Sequence, residues 1–238
     1  MKIALIGYGK MGKTIEKIAL DRGHQVVLTI DVDNQNEMTE ENLKKADVAI
    51  EFTMPSSALN NYIRCFQSGI PVVSGTTGWL DRREEVIRKM QHYNGTFFYA
   101  SNFSLGVNLF FELNRRLAAL MAKRPEYLVS VEEVHHIHKL DAPSGTAISL
   151  AEDLIGLHPG LGSWTLDAPG QKDQLQITAV REGEVPGIHR ICYESDVDCI
   201  RIEHSAKSRE GFALGAVLAA EFCLGKKGLL SMNELLNL

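Results

Sequence analysis

In the stretch EVHHIHKLDAPSGTA, residues 133–147, three histidines (His135, His136, His138), Lys139 and Asp141 crowd together and run into Pro-Ser-Gly-Thr. Histidine exchanges protons near neutral pH, lysine neutralises anions, and a helix that starts just afterwards offers free backbone N–H groups. As a regular strand, VSVEEVHHIHKL places Val131, Glu133, His135, Ile137 and Lys139 on one face, with His135 and Lys139 about 13 Å apart at about 3.3 Å per residue. A site that uses both must bend the chain between them. DAPSGTAISLAEDLIG then begins a helix: Pro143 and Ser144 precede it, Ser144 or Thr146 caps it, and Ile148, Leu150, Ala151 and Leu154 form its apolar stripe.

Three readings of this cluster compete. His136 and His138 share a face and could ligate a metal, but further ligands are not spaced for it and the adjacent lysine opposes a cation. The segment could also be an edge strand with solvated polar side chains. The residue types favour a third reading, an anion-binding acid/base site. In it His135 or His136 is the general acid, Lys139 pairs with one carboxylate, and Ser144, Gly145 and Thr146 clamp another. A dianionic substrate explains local cations in a chain whose formal net charge is −5. That charge argues against nucleic acid or an anionic membrane as partner.

A second chemistry-bearing pattern opens the chain. KIALIG is a short apolar run that ends in GYGKMG, and KTIEKIALDRG follows with Ile15, Ile18 and Ala19 at helical spacing. HQVVLTID reads as the next strand and ends on Asp31. In this strand-turn-helix-strand setting Gly7 makes the tight turn, Gly9 lets backbone approach a pyrophosphate, and Gly12 lets helix and strand pack closely. Asp31 is placed to accept hydrogen bonds from a ribose diol.

The elements that must position these residues fall into two patterns. ADVAIEFT, PVVSGTTG and GTFFYASNFS each read as a strand followed by small polar residues, with helical segments at 57–68 and 80–93 between them, which predicts a Rossmann-like, doubly wound parallel α/β sheet. Ligands in such sheets lie beyond the carboxyl ends of the strands, so FTMP, GTTG and ASNF should line one crevice. NLFFELNRRLAALMAKRP is a helix ended by Pro125. After it EYLVSVEEVHH, DQLQITAVREG, GIHRICYES and CIRIEHSAKS read as consecutive strands, hence a second, α+β domain with an open mixed sheet. The predicted boundaries are 1–104 for the nucleotide domain, completed by helical stretches within 209–238, and 105–208 for substrate binding and self-association.

Composition sets bounds on what this can be. Of 238 residues 45% are apolar and 23% charged, so each domain can hold its own core. Cys65, Cys192, Cys199 and Cys223 show no CxxC or other metal spacing, and MKIALIGYGKMG has too short an apolar run for a signal peptide. A reducing cytoplasm is the expected location. GFALGAVLAAEFCLG, broken by Glu221, is shorter than the roughly 20 residues of a bilayer span and reads as a buried helix.

EVHHIHKLDAPSGTA resembles the signature of the dihydrodipicolinate reductase (4-hydroxy-tetrahydrodipicolinate reductase) family. GYGKMG, FTMP, GTTG, ASNFSLGVN and SREGFALGA occur in the family's order with similar spacing, so the resemblance spans essentially the whole chain. It implies an NAD(P)H-dependent reductase of the diaminopimelate route to lysine, acting on a cyclic imine dicarboxylate and assembled as a homotetramer through the second domain. It implies His135 as proton donor/acceptor with Lys139 as its catalytic partner, and His136, Gly145 and Thr146 as substrate contacts. Cofactor contacts implied are Gly7, Tyr8, Gly9, Lys10, Met11, Asp31, Gly75, Thr76, Thr77, Ala100, Ser101, Asn102 and Phe103. GYGKMG is one residue shorter than the Gly-x-x-Gly-x-x-Gly loop of many members. The implied mechanism is hydride transfer from the reduced nicotinamide followed by proton delivery, with the reacting carbons held within about 3.5 Å.

Asp31, followed by Val32 and Asp33 rather than by an arginine, repels a 2′-phosphate and favours NADH, with Lys10 and Lys13 as the opposing cations. Other readings are a related reductase of another imine or oxo acid, and a nucleotide-sensing regulator without chemistry, which would have no need of the His-Lys cluster.

Overall fold

The computed structural model describes residues 1–168, 173–208 and 210–238. Its first elements are β1 (Lys2–Ile6), α1 (Lys10–Asp21), β2 (Gln25–Ile30), α2 (Glu40–Leu43), β3 (Val48–Glu51), α3 (Pro55–Ser68), β4 (Val72–Ser74), α4 (Arg83–His92), β5 (Thr96–Tyr99) and α5 (Leu105–Met121). Next come β6 (Leu128–His135), α6 (Gly145–Leu157), β7 (Ser163–Leu166), β8 (Gln174–Arg181), β9 (Ile188–Glu194) and β10 (Cys199–Ser205), then α7 (Glu210–Cys223), β11 (Gly228–Leu230) and α8 (Met232–Leu236). The chain forms two compact units, Met1–Leu105 with Glu210–Leu238, and Gly106–Arg209. Arg209, inside the SREGFALGA motif and first residue of the predicted returning segment, lies outside the described residues.

The first unit is a parallel sheet in the order β11-β5-β4-β3-β1-β2. Alternation along β1 sends Ala4 and Ile6 into one core layer, with Tyr62, Phe66 and Phe97, and Ile3 and Leu5 into the other, with Ile15, Phe98 and Ala216. Helices thus cover both faces, as a doubly wound sheet requires. The tight turn after β1 falls on Gly7, whose φ is +93° and where an added Cβ would stand 2.0 Å from the Phe52 carbonyl oxygen. No other residue type fits that turn. The helix predicted at 57–68 starts at Pro55, and the one predicted at 80–93 is a 3₁₀ turn, Leu80–Arg82, that leads into α4.

The second unit is a mixed sheet in the order β10-β9-β6-β8-β7, with β6 parallel to β8 and antiparallel to β9. Val131, Leu175, Ile177, Ile191 and Tyr193 pack with Leu150, Ala151 and Leu154 of α6 and Phe110 and Ala118 of α5 in one core. The four strands read from the sequence are present, and β7 is a fifth at the edge. The β9-β10 pairing also sets Cys192 Sγ 2.8 Å from Cys199 Sγ, a proximity that spacing along the chain does not reveal. Among the described residues no helix is long and apolar enough to cross a membrane.

Candidate functional site

The first unit carries a nucleotide-shaped cradle. Gly9 caps α1 without any side-chain hydrogen bond, so the first N–H groups of the helix are left for a ligand, and an added Cβ at Gly9 would meet nothing within 4 Å. Gly12 is buried beneath the turn, where a Cβ would stand 2.3 Å from the Gly7 carbonyl oxygen. Gly7, Gly9 and Asp31 line one cavity of about 410 Å³, together with Met38, Thr53 and Arg64. Asp31 Oδ1 accepts from Val32 N at 2.9 Å, which caps the 3₁₀ turn Val32–Glu37 and fixes the carboxylate at the cavity wall. Open backbone at the phosphate position and a fixed acid at the ribose position fit a dinucleotide.

The other predicted cofactor contacts are distributed more widely. Lys10 is exposed and Met11 half-buried, while the Tyr8 hydroxyl donates to Glu16 and the Tyr8 ring lies 5.9 Å from Lys13 Nζ. Gly75, Thr76 and Thr77 follow β4, and Ala100, Ser101, Asn102 and Phe103 follow β5. Neither group lines the Asp31 cavity. Thr77 and Ser101 are exposed, Ala100 is buried, and Asn102 Oδ1 accepts from Ser104 N at 2.9 Å. The Phe103 ring is buried in the core, 5.7 Å from the Phe52 ring and 5.8 Å from that of Phe98.

Beneath these turns sits a residue that the sequence reading passed over. Glu51 is fully buried at the end of β3. Its carboxylate accepts from Ser74 Oγ at 2.7 Å, Thr76 Oγ1 at 2.9 Å, Asn61 Nδ2 at 3.3 Å and the Thr53 hydroxyl. Thr76 Oγ1 in turn accepts from Thr53 N at 2.8 Å. One buried acceptor therefore locks the turns after β3 and β4 to each other, since a carboxylate removed from water must be satisfied by donors. An acid inside the apolar strand VAIEF was the available signal.

In the second unit β6 ends at His135 and the chain turns, with Lys139 N donating to the His136 carbonyl at 3.1 Å. The extended face shared by His135, Ile137 and Lys139 is therefore not formed, and the bend that a joint His-Lys site requires is present. His135 is buried, with Nδ1 3.5 Å from Glu133 Oε2. Burial pushes its pKa below the ordinary imidazole value, Glu133 pulls it up, and Lys139 and Arg181 push it down. Lys139 Nζ lies 2.8 Å from both Asp141 carboxylate oxygens. His136 is half-buried and its Nδ1 has no hydrogen-bond partner among the described residues.

Glu133, fully buried, is the hub of this loop. Its carboxylate accepts from Ser144 N at 3.0 Å and from Arg181 Nη2 at 3.0 Å, and Arg181 Nη2 also reaches the Asp141 carbonyl at 2.7 Å. His189, opposite Glu133 on β9, has its pKa pushed down to about 4, chiefly by burial, and its Nε2 lies 3.2 Å from Ser144 Oγ. Of the two capping candidates it is Ser144 that caps α6, through Ala147 N at 3.2 Å. By helix geometry the N–H groups of Gly145 and Thr146, in the first turn, have no intrahelical acceptor. Sequence spacing brought His135, Lys139 and Ser144–Thr146 forward. Arg181 and His189 come from β8 and β9, and only strand register shows that they belong.

Among the described residues two groups have metal-ligand proximity, Glu133 with His135 and His189, and Cys192 with Glu194 and Cys199. His136 and His138 form no such group. Their rings lie 6.1 Å apart, and His138 Nε2 instead meets Glu184 Oε1 at 3.2 Å. In the first group the Arg181 guanidinium already neutralises Glu133.

Residues 1–103 match the family model described as dihydrodipicolinate reductase, N-terminus, and residues 106–236 the one described as dihydrodipicolinate reductase, C-terminus. The chain is 49% identical over 237 residues to the 4-hydroxy-tetrahydrodipicolinate reductase of Christiangramia forsetii, covering 100% of this chain and 98% of that protein. It is 34% identical over 230 residues to the Neisseria meningitidis protein of the same name, with 94% and 84% covered. The dipicolinate-bound dihydrodipicolinate reductase from a Paenisporosarcina species shares the fold at a TM-score of 0.78, with 22% identity and 98% of each chain covered.

Proposed function

The chain belongs to the dihydrodipicolinate reductase family, and on that premise we propose how its own residues divide the reaction. The protein is an NAD(P)H-dependent oxidoreductase that reduces 4-hydroxy-tetrahydrodipicolinate/dihydrodipicolinate to tetrahydrodipicolinate in the diaminopimelate route of lysine biosynthesis. When bound, the reduced nicotinamide supplies a hydride to the conjugated imine. The first unit holds the dinucleotide: the α1 N-terminus and the Gly7–Gly12 turn take the pyrophosphate, Asp31 takes the adenosine ribose, and the turns at Gly75–Thr77 and Ala100–Phe103, stiffened through Glu51, border the rest.

The second unit holds the substrate. Lys139 leaves Asp141 to pair with one substrate carboxylate, and the Gly145 and Thr146 N–H groups with Ser144 clamp the other, with His136 alongside. His135 delivers the proton that the reduced ring takes up. The carrying observation is Glu133: one buried carboxylate ties the end of β6, the start of α6 and Arg181 together, which holds His135 and the anion clamp in fixed relation. A nucleotide-sensing protein would have no use for such a fixed acid/base pair. We further assign a homotetramer assembled through the second unit's open sheet face, which carries Arg190 paired with Glu132 and Glu203, and a reducing cytoplasm that suits four free cysteines.

The test is turnover of NADH and NADPH with the freshly formed condensation product of pyruvate and aspartate semialdehyde. Consumption of reduced cofactor with formation of tetrahydrodipicolinate is expected. A folded protein that binds NADH but consumes none would be a sensor instead.

A further inference from the structure

Asp31 and Arg64 line the same cavity of about 410 Å³ in the first unit, yet they do not meet. Each is held by its own wall. Asp31 Oδ1 accepts from Val32 N at 2.9 Å, and Arg64, which projects from α3, donates from Nη1 to the Met38 carbonyl at 3.1 Å. Among the described residues Arg64 has no ion pair, so the remaining guanidinium N–H groups are available to whatever enters. Opposite charges that share a cavity and are kept apart suit a ligand with hydroxyl donors for the acid and an anion for the base. The 2′-phosphorylated ribose of NADPH has both chemistries: the remaining 3′-hydroxyl can donate to the carboxylate, and the 2′-phosphate matches the guanidinium fork.

We propose that Arg64 is the cofactor-specificity residue of this site, meeting the 2′-phosphate of NADPH so that both nicotinamide cofactors are accepted. The lysines that sequence proximity suggests for this role do not line the cavity: Lys10 is exposed beside the glycine turn, and Lys13 Nζ sits over the Tyr8 ring. An arginine directly after Asp31 is absent as well, since Val32 stands there and is exposed. With NADH bound Arg64 has no phosphate to meet and keeps its bond to the Met38 carbonyl, so its loss should cost NADH far less than NADPH. The proposal rests on reading the first unit as a dinucleotide site.

The experiment is calorimetric binding of NADH, NADPH, 5′-AMP and 2′,5′-ADP to wild type, Arg64→Met and Arg64→Lys. Methionine keeps most of the aliphatic stem and removes the charge. Loss of a charge-assisted phosphate contact should weaken NADPH and 2′,5′-ADP roughly 10- to 100-fold in Arg64→Met. NADH and 5′-AMP should stay within about twofold, and Arg64→Lys should fall between. Equal weakening of all four ligands, or unchanged NADPH binding in Arg64→Met, overturns the assignment of Arg64 while leaving the dinucleotide site intact. A wild type that binds NADH but rejects NADPH overturns it too. A wild type that binds neither cofactor overturns the dinucleotide reading itself, and the proposal with it.

Discussion

His135 stands where β6 ends, and two opposing forces set its proton affinity. Burial lowers its pKa and Glu133 raises it, with the first effect the larger. In the free protein the ring is therefore harder to protonate than an ordinary imidazole, and entry of a dianion should raise its proton affinity. The profile of kcat/KM against pH, which reports the free protein, should lose activity on its alkaline side at lower pH than the profile of kcat, which reports the complex. Glu133→Gln removes the stronger of the two anionic influences on His135, ahead of Asp141, so that the imidazolium is less favoured and the alkaline limb of kcat/KM moves further toward acid. A limb that stays in place or moves toward alkali would exclude Glu133 as the residue that tunes His135. His135→Gln should lose most of kcat, on the order of 10²- to 10⁴-fold, and keep its affinity for NADH. Weakened NADH binding with kcat intact would make His135 a cofactor contact. His135 and Lys139 were legible because their types and spacing imply proton and anion chemistry. Glu133 was legible only as a strand residue, since its partners Arg181 and His189 lie more than forty positions away and meet it through β8 and β9.

At the scale of elements, close approach separates glycines that build the fold from glycines that serve the ligand. Gly215 of α7 lies against the chain after β5, where an added Cβ would stand 1.7 Å from the Phe103 carbonyl oxygen. Gly9 faces open space. Gly215→Ala must therefore shift α7 off the sheet, an overpacking cost of about 1–3 kcal/mol and a drop in Tm of roughly 2–12 °C. Gly9→Ala should hold its Tm and weaken NADH, because the methyl group enters the space reserved for the pyrophosphate. Thermal melts paired with NADH titration decide it, and equal melting of the two variants would refute the distinction. The β1-α1-β2 unit could be read directly, because its glycines, helical stripe and terminal acid are local signals. β7 and β11 were not foreseen: at four and three residues they are too short to show a period, and pairing to β8 and β5 defines them. β6 stops at His135 rather than running on to Lys139 because the turn closed by Lys139 N intervenes.

For the whole molecule, charge is placed locally rather than spread. A chain of net charge −5 gathers His135, Lys139 and Arg181 around the buried Glu133 and places Asp31 with Arg64 along the cavity of the first unit. Asp31 and Asp33 should make kcat/KM for NADH equal to or greater than that for NADPH at physiological salt, with Arg64, as proposed above, keeping NADPH usable. Parallel kinetics with both cofactors at fixed substrate check this, and a tenfold preference for NADPH would mean that Arg64 outweighs both acids. Turnover should depend above all on Lys139 neutralising a substrate carboxylate where negative charge develops. The measurement that bears on it most directly is steady-state turnover of Lys139→Ala with the pyruvate–aspartate semialdehyde condensation product, alongside its NADH affinity and its melting temperature. We predict kcat/KM lowered by about 10²- to 10³-fold, with NADH affinity and Tm unchanged. Wild-type turnover in a correctly folded Lys139→Ala protein would contradict it.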